Sequence, residues 1–323
     1  MSAISRLEQP GSQAPLGEAL LLVGDFWNVL VLQSVFLGAR RFQNIRDQLS
    51  ISDSVLSRRL SSLTEAGVID TSPYQDRPVR LEYRLTDAGT ALWDVLVAMW
   101  AWDRHWITGR HRLSEVDLQH LDCANLTRPV FGCGSCGAIG VTARDVSSTA
   151  DDQLWASLVR RRGRRSVIAT EAASSTGILG DQWSILVLAE ALQGSRHFGE
   201  FQSRLGVSPV TLNNRLSAFV SRGVMTRSSV TDGARRQVYR LTPRGLDFFS
   251  ITSMINRWAQ HWLADDGRTG LTITHLACGE QIQPQLTCNA CNGRLTREAI
   301  RFESEGTPLA TSWTRDRLTS APA

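Results

Sequence analysis

The sequence predicts a mainly α fold with small β-hairpins (α+β), arranged as two tandem copies of one unit, each followed by a short knuckle bearing histidine and cysteine. Three observations carry this expectation. Gly24-Asp25-Phe26-Trp27 returns as Gly180-Asp181-Gln182-Trp183, and Phe42, Leu49, Leu56, Arg59, Leu60, Gly67, Tyr83, Leu85, Thr86 and Gly89 return at the same shift of 156 residues. His120-x2-Cys123-x9-Cys133-x2-Cys136 recurs as His275-x2-Cys278-x9-Cys288-x2-Cys291 at a shift of 155. Within each copy, helical spacing of apolar residues gives way to a short alternating stretch and then returns. One unit was therefore duplicated whole, and function is to be read from that unit.

Each element has its own signal. Leu20, Leu21, Val23, Trp27, Leu30, Val31 and Val35 recur at three and four spacing, which predicts one buried helix across residues 16–38. Phe42, Ile45 and Leu49 mark a short second helix, ended by Ile51-Ser52. Leu56, Leu60 and Leu63 give a third, stopping at Gly67. Val68-Ile69-Asp70, a turn-rich stretch to Pro78, and the alternation from Val79 to Leu85 form a hairpin. Thr86 is placed to cap a last helix running through Leu92, Leu96, Trp100 and Trp106. The second copy repeats the order, with Ser208-Pro209 opening its third helix and a wing at Val230–Arg236. This is the order of a winged helix-turn-helix, whose third helix is shaped to enter a major groove. The expected domains are winged helix-turn-helix units at 12–110 and 168–266, knuckles at 111–146 and 267–303, a linker at 147–167 and a tail at 304–323.

Composition sets the class. With 323 residues, 42% hydrophobic and 20% charged, the chain can bury two cores. No apolar run of about 18 residues occurs, and Met1 to Arg6 start no signal peptide, so a cytoplasmic, nucleoid-associated location with reduced cysteines is expected. All 35 basic residues are arginine, and the net charge of +4 permits a polyanionic partner without demanding one.

Gly24-Asp25-x-Trp27, Arg40-Arg41-Phe42-x-x-Ile45, the run from Ser52 through Val55-Leu56-Ser57-x-Arg59-Leu60 to Ala66-Gly67-Val68-Ile69, and Pro78-x-Arg80-x-x-Tyr83-x-Leu85-Thr86-x-x-Gly89 together resemble the HxlR-type winged-helix transcriptional regulators of bacteria, twice over. The resemblance implies double-stranded DNA as partner and transcriptional regulation as function. Because such regulators usually work as homodimers, it also implies a covalent pseudo-dimer on one operator. Two departures stand out. The cysteine that many members carry before the first helix is missing from Ala14-Pro15-Leu16 and from Thr170 to Ser175, and Phe26 and Gln182 replace the basic residue common before the motif tryptophan.

If Leu56, Leu60 and Leu63 face the core, Asp53, Ser54, Ser57, Arg58 and Ser61 face away, with Pro209, Val210, Asn213, Asn214 and Ser217 as counterparts. Arg58 can bridge guanine O6 and N7, and Asn213 or Asn214 can bridge adenine N6 and N7. Arg59 and Arg215 flank the core face, where a phosphate contact and a structural ion pair are both open. Arg77, Arg80, Arg235 and Arg236 sit on the wings, within reach of backbone or minor groove. Arg40, Arg41 and Arg196 precede the short second helix of each copy, a place that suits phosphate.

All six cysteines lie in the two His/Cys patterns. Cys-x2-Cys with His-x2-Cys is a Cys3His set suited to tetrahedral zinc, so two zinc ions per chain are expected in small zinc-ribbon-like knuckles. The expected sites are His120, Cys123, Cys133 and Cys136 in the first copy, and His275, Cys278, Cys288 and Cys291 in the second. A thiol redox switch is the alternative. Trp102 with Trp106 and Trp258 with Trp262 read as packing, with an aromatic effector pocket between the copies left open. The arginine-rich run Arg160–Arg165 reads as a solvated linker or as a basic arm on DNA. No catalytic loop or elbow motif is present, so an enzyme is not expected. The runner-up function is a zinc-containing protein-interaction module with little sequence-specific DNA binding. A small-molecule effector and a further homodimer stay open.

Overall fold

Gly24 and Asp25 break the first apolar stretch. In the computed structural model, which describes residues 15–77, 79–107, 116–150, 174–179, 182–229, 237–264, 267, 269–304 and 307–308, that stretch is two helices, α1 (Pro15–Val23) and α2 (Phe26–Phe36), bent by 75°. Asp25 is extended and accepts the Asn28 N–H at 3.1 Å, so it opens α2 as an N-cap. A side chain at Gly24 would put its Cβ 2.2 Å from the Leu20 carbonyl oxygen and 2.6 Å from that of Leu179. The single helix expected over 16–38 is corrected accordingly. Among the described residues no single helix is long and apolar enough to cross a membrane.

Helix α3 (Phe42–Leu49) ends at Ser50, whose φ of 51° turns the chain into α4 (Asp53–Glu65). The hairpin follows as β1 (Ile69–Asp76) and β2 (Val79–Leu85), with a bulge at Tyr74. Thr86 donates to the Gly67 carbonyl at 2.7 Å and accepts the Gly89 N–H at 3.0 Å. It caps only a one-turn helix, α5 (Asp87–Thr90), and the long helix is a separate α6 (Trp93–Trp106). The knuckle residues supply β3 (Val116–His120), β4 (Asn125–Leu126), β5 (Pro129–Cys133) and β6 (Val146–Ala150).

The second copy repeats the plan: α7 (Ser175–Leu179), α8 (Gln182–Leu192), α9 (Phe198–Leu205), α10 (Pro209–Ser221), β7 (Met225–Ser229), β8 (Gln237–Leu241), α11 (Pro243–Asp247) and α12 (Phe249–Trp262). It closes with β9 (Leu271–His275), β10 (Pro284–Cys288), β11 (Ile300–Ser304) and β12 (Thr307–Pro308). The arginine run Arg160–Arg165 lies outside the described residues.

The two copies are not beads on a string. Strand β11 of the second copy pairs antiparallel with β3 of the first, and β6 of the first pairs with β9 of the second. Between them β5 pairs antiparallel with β10, Phe131 facing its own counterpart Leu286 and thereby marking a pseudo-twofold axis. The self-contained knuckles expected after each unit are corrected, because every long strand of one knuckle is laid against the other copy.

The helices obey the same exchange. Trp102 Nε1 donates to the Arg244 carbonyl at 3.1 Å, and Trp258 Nε1 donates to the Ala88 carbonyl at 2.8 Å. Both pairs are related by the 156-residue shift, so each copy's long helix is pinned to the other's short one. The rings are buried, and Trp102 meets Phe248 edge-on at 5.4 Å. Of the tryptophans expected to pack, Trp102 and Trp258 are buried between the copies, whereas Trp262 is exposed. Residues from both copies join in one buried apolar cluster.

An interface of crossed strands should outlast the covalent connection. A protease site inserted between Ala150 and Ser174 and then cut should leave two fragments that elute together as one native species, since exchanged strands separate only when the cores open. Elution of two separate fragments under native conditions would contradict the exchange.

Candidate functional site

Two exposed helix faces are the first candidate. In α4, Leu56, Leu60 and Leu63 are buried and Asp53, Ser54, Ser57, Arg58 and Ser61 are exposed. In α10, Leu212, Leu216 and Phe219 are buried while Pro209, Val210, Asn213, Asn214 and Ser217 are exposed. Ser208 accepts the Thr211 N–H at 3.2 Å, and Pro209 occupies the first helical position, so α10 starts where its sequence signals said. The buried leucines leave each helix no other face to offer a partner.

The surrounding arginines divide by what they already hold. Arg59 pairs with Asp25 at 2.9 Å, both side chains mostly buried. It therefore ties α4 to the start of α2, which is the structural ion pair that the sequence left open beside a phosphate contact. Arg215 is half-buried at the matching position, while Asp181, the counterpart of Asp25, lies outside the described residues. Arg41 lies 4.5 Å from the Tyr74 ring and 3.7 Å from Glu82, so it braces the wing. Arg196 donates to the Ala191 and Ser195 carbonyls at 2.7 and 3.0 Å and closes the end of α8. These contacts position both side chains, and that of Arg41 remains 55% exposed.

Arg77 and Arg80 are exposed near the tip of the first wing. Arg235 and Arg236 lie outside the described residues. Sequence reasoning passed over Arg84, Arg227 and Arg240, which are exposed on the wings, Arg84 beside Glu82 at 3.2 Å and Arg240 beside Ser228 at 3.3 Å. Arg84 and Arg240 match at the 156-residue shift, a signal that was available.

The second candidate is a pair of His/Cys clusters, and here the structure regroups the ligands. One cluster is His120, Cys123, Cys288 and Cys291; the other is Cys133, Cys136, His275 and Cys278. Each takes its His-x2-Cys arm from one copy and its Cys-x2-Cys arm from the other. The expected groupings of His120, Cys123, Cys133 and Cys136, and of His275, Cys278, Cys288 and Cys291, are corrected. The reason is strand direction. Strand β5 carries Cys133 to the end of the ladder that faces Pro284, while Cys288 ends opposite Pro129. Five residues of strand span about 14 Å, so the Cys-x2-Cys arm is delivered to the other copy's histidine.

In each cluster the four ligand-type atoms lie within 4.8 Å of one another, close enough to share one ion. His120 Nδ1 lies 3.3 Å from Cys123 Sγ and from Cys291 Sγ, and Cys123 Sγ lies 3.8 Å from Cys288 Sγ. His275 Nδ1 lies 3.4 Å from both Cys136 Sγ and Cys278 Sγ. A four-coordinate ion bound through nitrogen and sulfur at its usual bond lengths has N···S edges of about 3.6 Å and S···S edges of about 3.8 Å. Both histidines are buried, as are Cys133 and Cys288. His120 Nε2 lies 3.4 Å from Asp122 Oδ2 without hydrogen-bond geometry, so this buried ring nitrogen has no hydrogen-bond partner. Burial opposes ionisation of Cys133, but backbone hydrogen bonds at Gln283, Cys136 and Ser135 outweigh it and bring the thiol down to about 6. At Cys288, burial is likewise outweighed by Thr127 and by backbone hydrogen bonds at Cys291 and Ala290, again reaching about 6. The thiolate is the form that binds a metal cation, and Cys133 and Cys288 reach it at neutral pH, whereas Cys136 and Cys291 are shifted upward.

The HxlR-like helix-turn-helix family matches residues 22–111 and 178–266, together more than half of the chain. An uncharacterized HTH-type transcriptional regulator of Mycobacterium tuberculosis is 37% identical over 145 residues, which make up 45% of this chain and 90% of that protein. Another from Synechocystis is 33% identical over 100 residues, 31% of this chain and 74% of the relative. The HTH-type transcriptional regulator YodB of Bacillus subtilis is 34% identical over 85 residues, 26% of this chain and 76% of YodB. With 145 residues equal to 90% of its length, the mycobacterial relative has about 160 residues, the size of one repeat here.

The Arg59–Asp25 pair yields a direct test. Arg59→Ala should cost about 1–2 kcal/mol of stability, between the values for exposed and fully buried pairs. Its effect should also be non-additive with Asp25→Ala in denaturant titrations. Additive losses, or a change seen only in DNA affinity, would return Arg59 to the DNA surface.

Proposed function

The chain belongs to the HxlR-like helix-turn-helix family, and on that premise we propose that it regulates transcription as a covalent pseudo-dimer, one chain engaging one operator with two unlike recognition helices. The family is one of transcriptional regulators, not enzymes. The observation that carries the proposal is the reciprocal anchoring of the copies: two family domains, held in one body by exchanged strands and paired tryptophan hydrogen bonds, present α4 and α10 with different exposed residues. The repeat-sized mycobacterial relative supports it, since two such lengths make this chain.

In this reading Arg58, with Ser54 and Ser57, reads one half-site, and Asn213 and Asn214 read the other. Arg77 and Arg80, and by repeat Arg235 and Arg236, contact the backbone beside them. The operator is non-palindromic, with half-site centres one or two turns apart, about 10 base pairs per turn. Each His/Cys cluster holds one zinc ion, so a chain carries two. Four protein ligands leave no position for water or substrate, and the ions act as staples between the copies.

Selection of binding sites from a random DNA library, followed by footprinting, tests this. Arg58→Ala and Asn214→Ala should each cost about 1–3 kcal/mol on the selected site and little on random DNA, because a base contact counts only where the right base is present. Arg80→Ala should weaken binding to both DNAs and flatten the dependence of log affinity on log salt. A perfect palindrome occupied by two chains would overturn the pseudo-dimer. Failure to select any sequence would favour the protein-interaction reading.

A further inference from the structure

A cavity of about 60 Å³ lies between α2, α6 and the exchanged strand β11. Its walls include Phe36, Trp93, Val97, Trp100 and Phe302, and the polar side chains on it are Gln33 and Arg297. Trp100 and Phe302 meet edge-on at 5.8 Å, so one aromatic wall comes from each copy. The Arg104 guanidinium lies over the Trp100 ring at 5.6 Å.

The other half of the molecule is built differently at the same place. Asn256 replaces Trp100; its amide donates to the Leu271 carbonyl at 3.2 Å and accepts from Thr269 at 2.6 Å. Ser253 replaces Val97 and is buried, and Thr142 stands where Arg297 does. Among the described residues, the positions matching Trp100, Val97 and Arg297 thus carry no aromatic ring and no arginine in the other half. One half therefore carries hydrogen-bonded Asn256 and a buried Ser253 hydroxyl without a partner where the other carries Trp100 and Val97.

Arg297 is the feature that selects a ligand. It is half-buried at an apolar wall, and burial, resisted by Glu298 and reinforced by Arg40, lowers its pKa. The Arg297 guanidinium lines the cavity, and a planar carboxylate matches its fork. We propose that this cavity binds one small aromatic carboxylate per chain, its ring between Trp93, Trp100 and Phe302 and its carboxylate on Arg297. A ligand so placed would touch α2 and α6 of the first winged unit and β11 of the second copy, and would thus bear on how the copies sit together. Binding itself does not depend on the DNA reading.

Calorimetric titration of the full chain with 2-naphthoate and with its neutral isostere 2-naphthamide tests the proposal. The carboxylate should bind at one site per chain and at least tenfold tighter than the amide. Arg297→Gln should bring the carboxylate to the affinity of the amide, and Val97→Trp should remove binding of both by filling the space. No saturable binding, two sites per chain, or equal affinities of acid and amide for the unaltered chain would overturn it.

Discussion

Antiparallel pairing of β5 with β10 is the constraint on which the rest of the molecule depends. Because the two strands are copies of each other, their ladder must place Cys133 and Cys288 at opposite ends. Each terminal cysteine is then beside the His-x2-Cys arm of the other copy, and each four-ligand cluster can be completed only in trans. The outer strands follow, β11 crossing to β3 and β6 to β9. With the knuckles exchanged, α6 and α12 are held against each other, and the reciprocal tryptophan hydrogen bonds fix the winged units in one arrangement. Each of these links satisfies buried polar groups or buries apolar area that one copy alone would leave exposed.

Within that symmetric frame the two halves have diverged where symmetry is not required. Arg58 on α4 is answered by Asn214 on α10, and Asp53 by Pro209. Trp106 Nε1 donates to Asp247 at 2.7 Å, whereas Trp262 is 37% exposed and has Ala91 at the position matching Asp247. Asp103 accepts from the backbone and hydroxyl of Ser175 at 2.6 and 2.8 Å, and the residues matching these two are both alanine, Ala259 and Ala19. A homodimer must place identical residues on both half-sites and in both cavities. A fused pair is free of that demand, so its two halves can carry different exposed faces and different interiors.

Much of this was legible in the residues. Leucines at i, i+4 and i+7 located α4 and left its exposed face by subtraction, Ser208-Pro209 located the start of α10, and the identical spacing of eight ligands singled out the His/Cys clusters. What was not legible has a common cause. In a repeat related by a twofold axis, pairing within a copy and pairing between copies leave the same spacing in the sequence, so His120 could not reveal whether Cys133 or Cys288 was its partner. Arg59 was ambiguous because its acidic partner, Asp25, is 34 positions away and was read as part of a continuous helix. The continuous helix fails for a local reason: the apolar period continues across Gly24, but Asp25 caps a new helix there and Gly24 leaves room for the Leu20 and Leu179 carbonyls.

Metal content of two double variants, measured by mass spectrometry on reduced full-length protein, tests the trans arrangement most directly. Cys123→Ser with Cys291→Ser changes residues in different copies but in one cluster; Cys123→Ser with Cys133→Ser changes residues in one copy but in both clusters. With two ions in the unaltered chain, the trans arrangement predicts one ion retained in the first variant and none in the second. One ion retained in the second variant and none in the first would contradict it and return each cluster to its own copy.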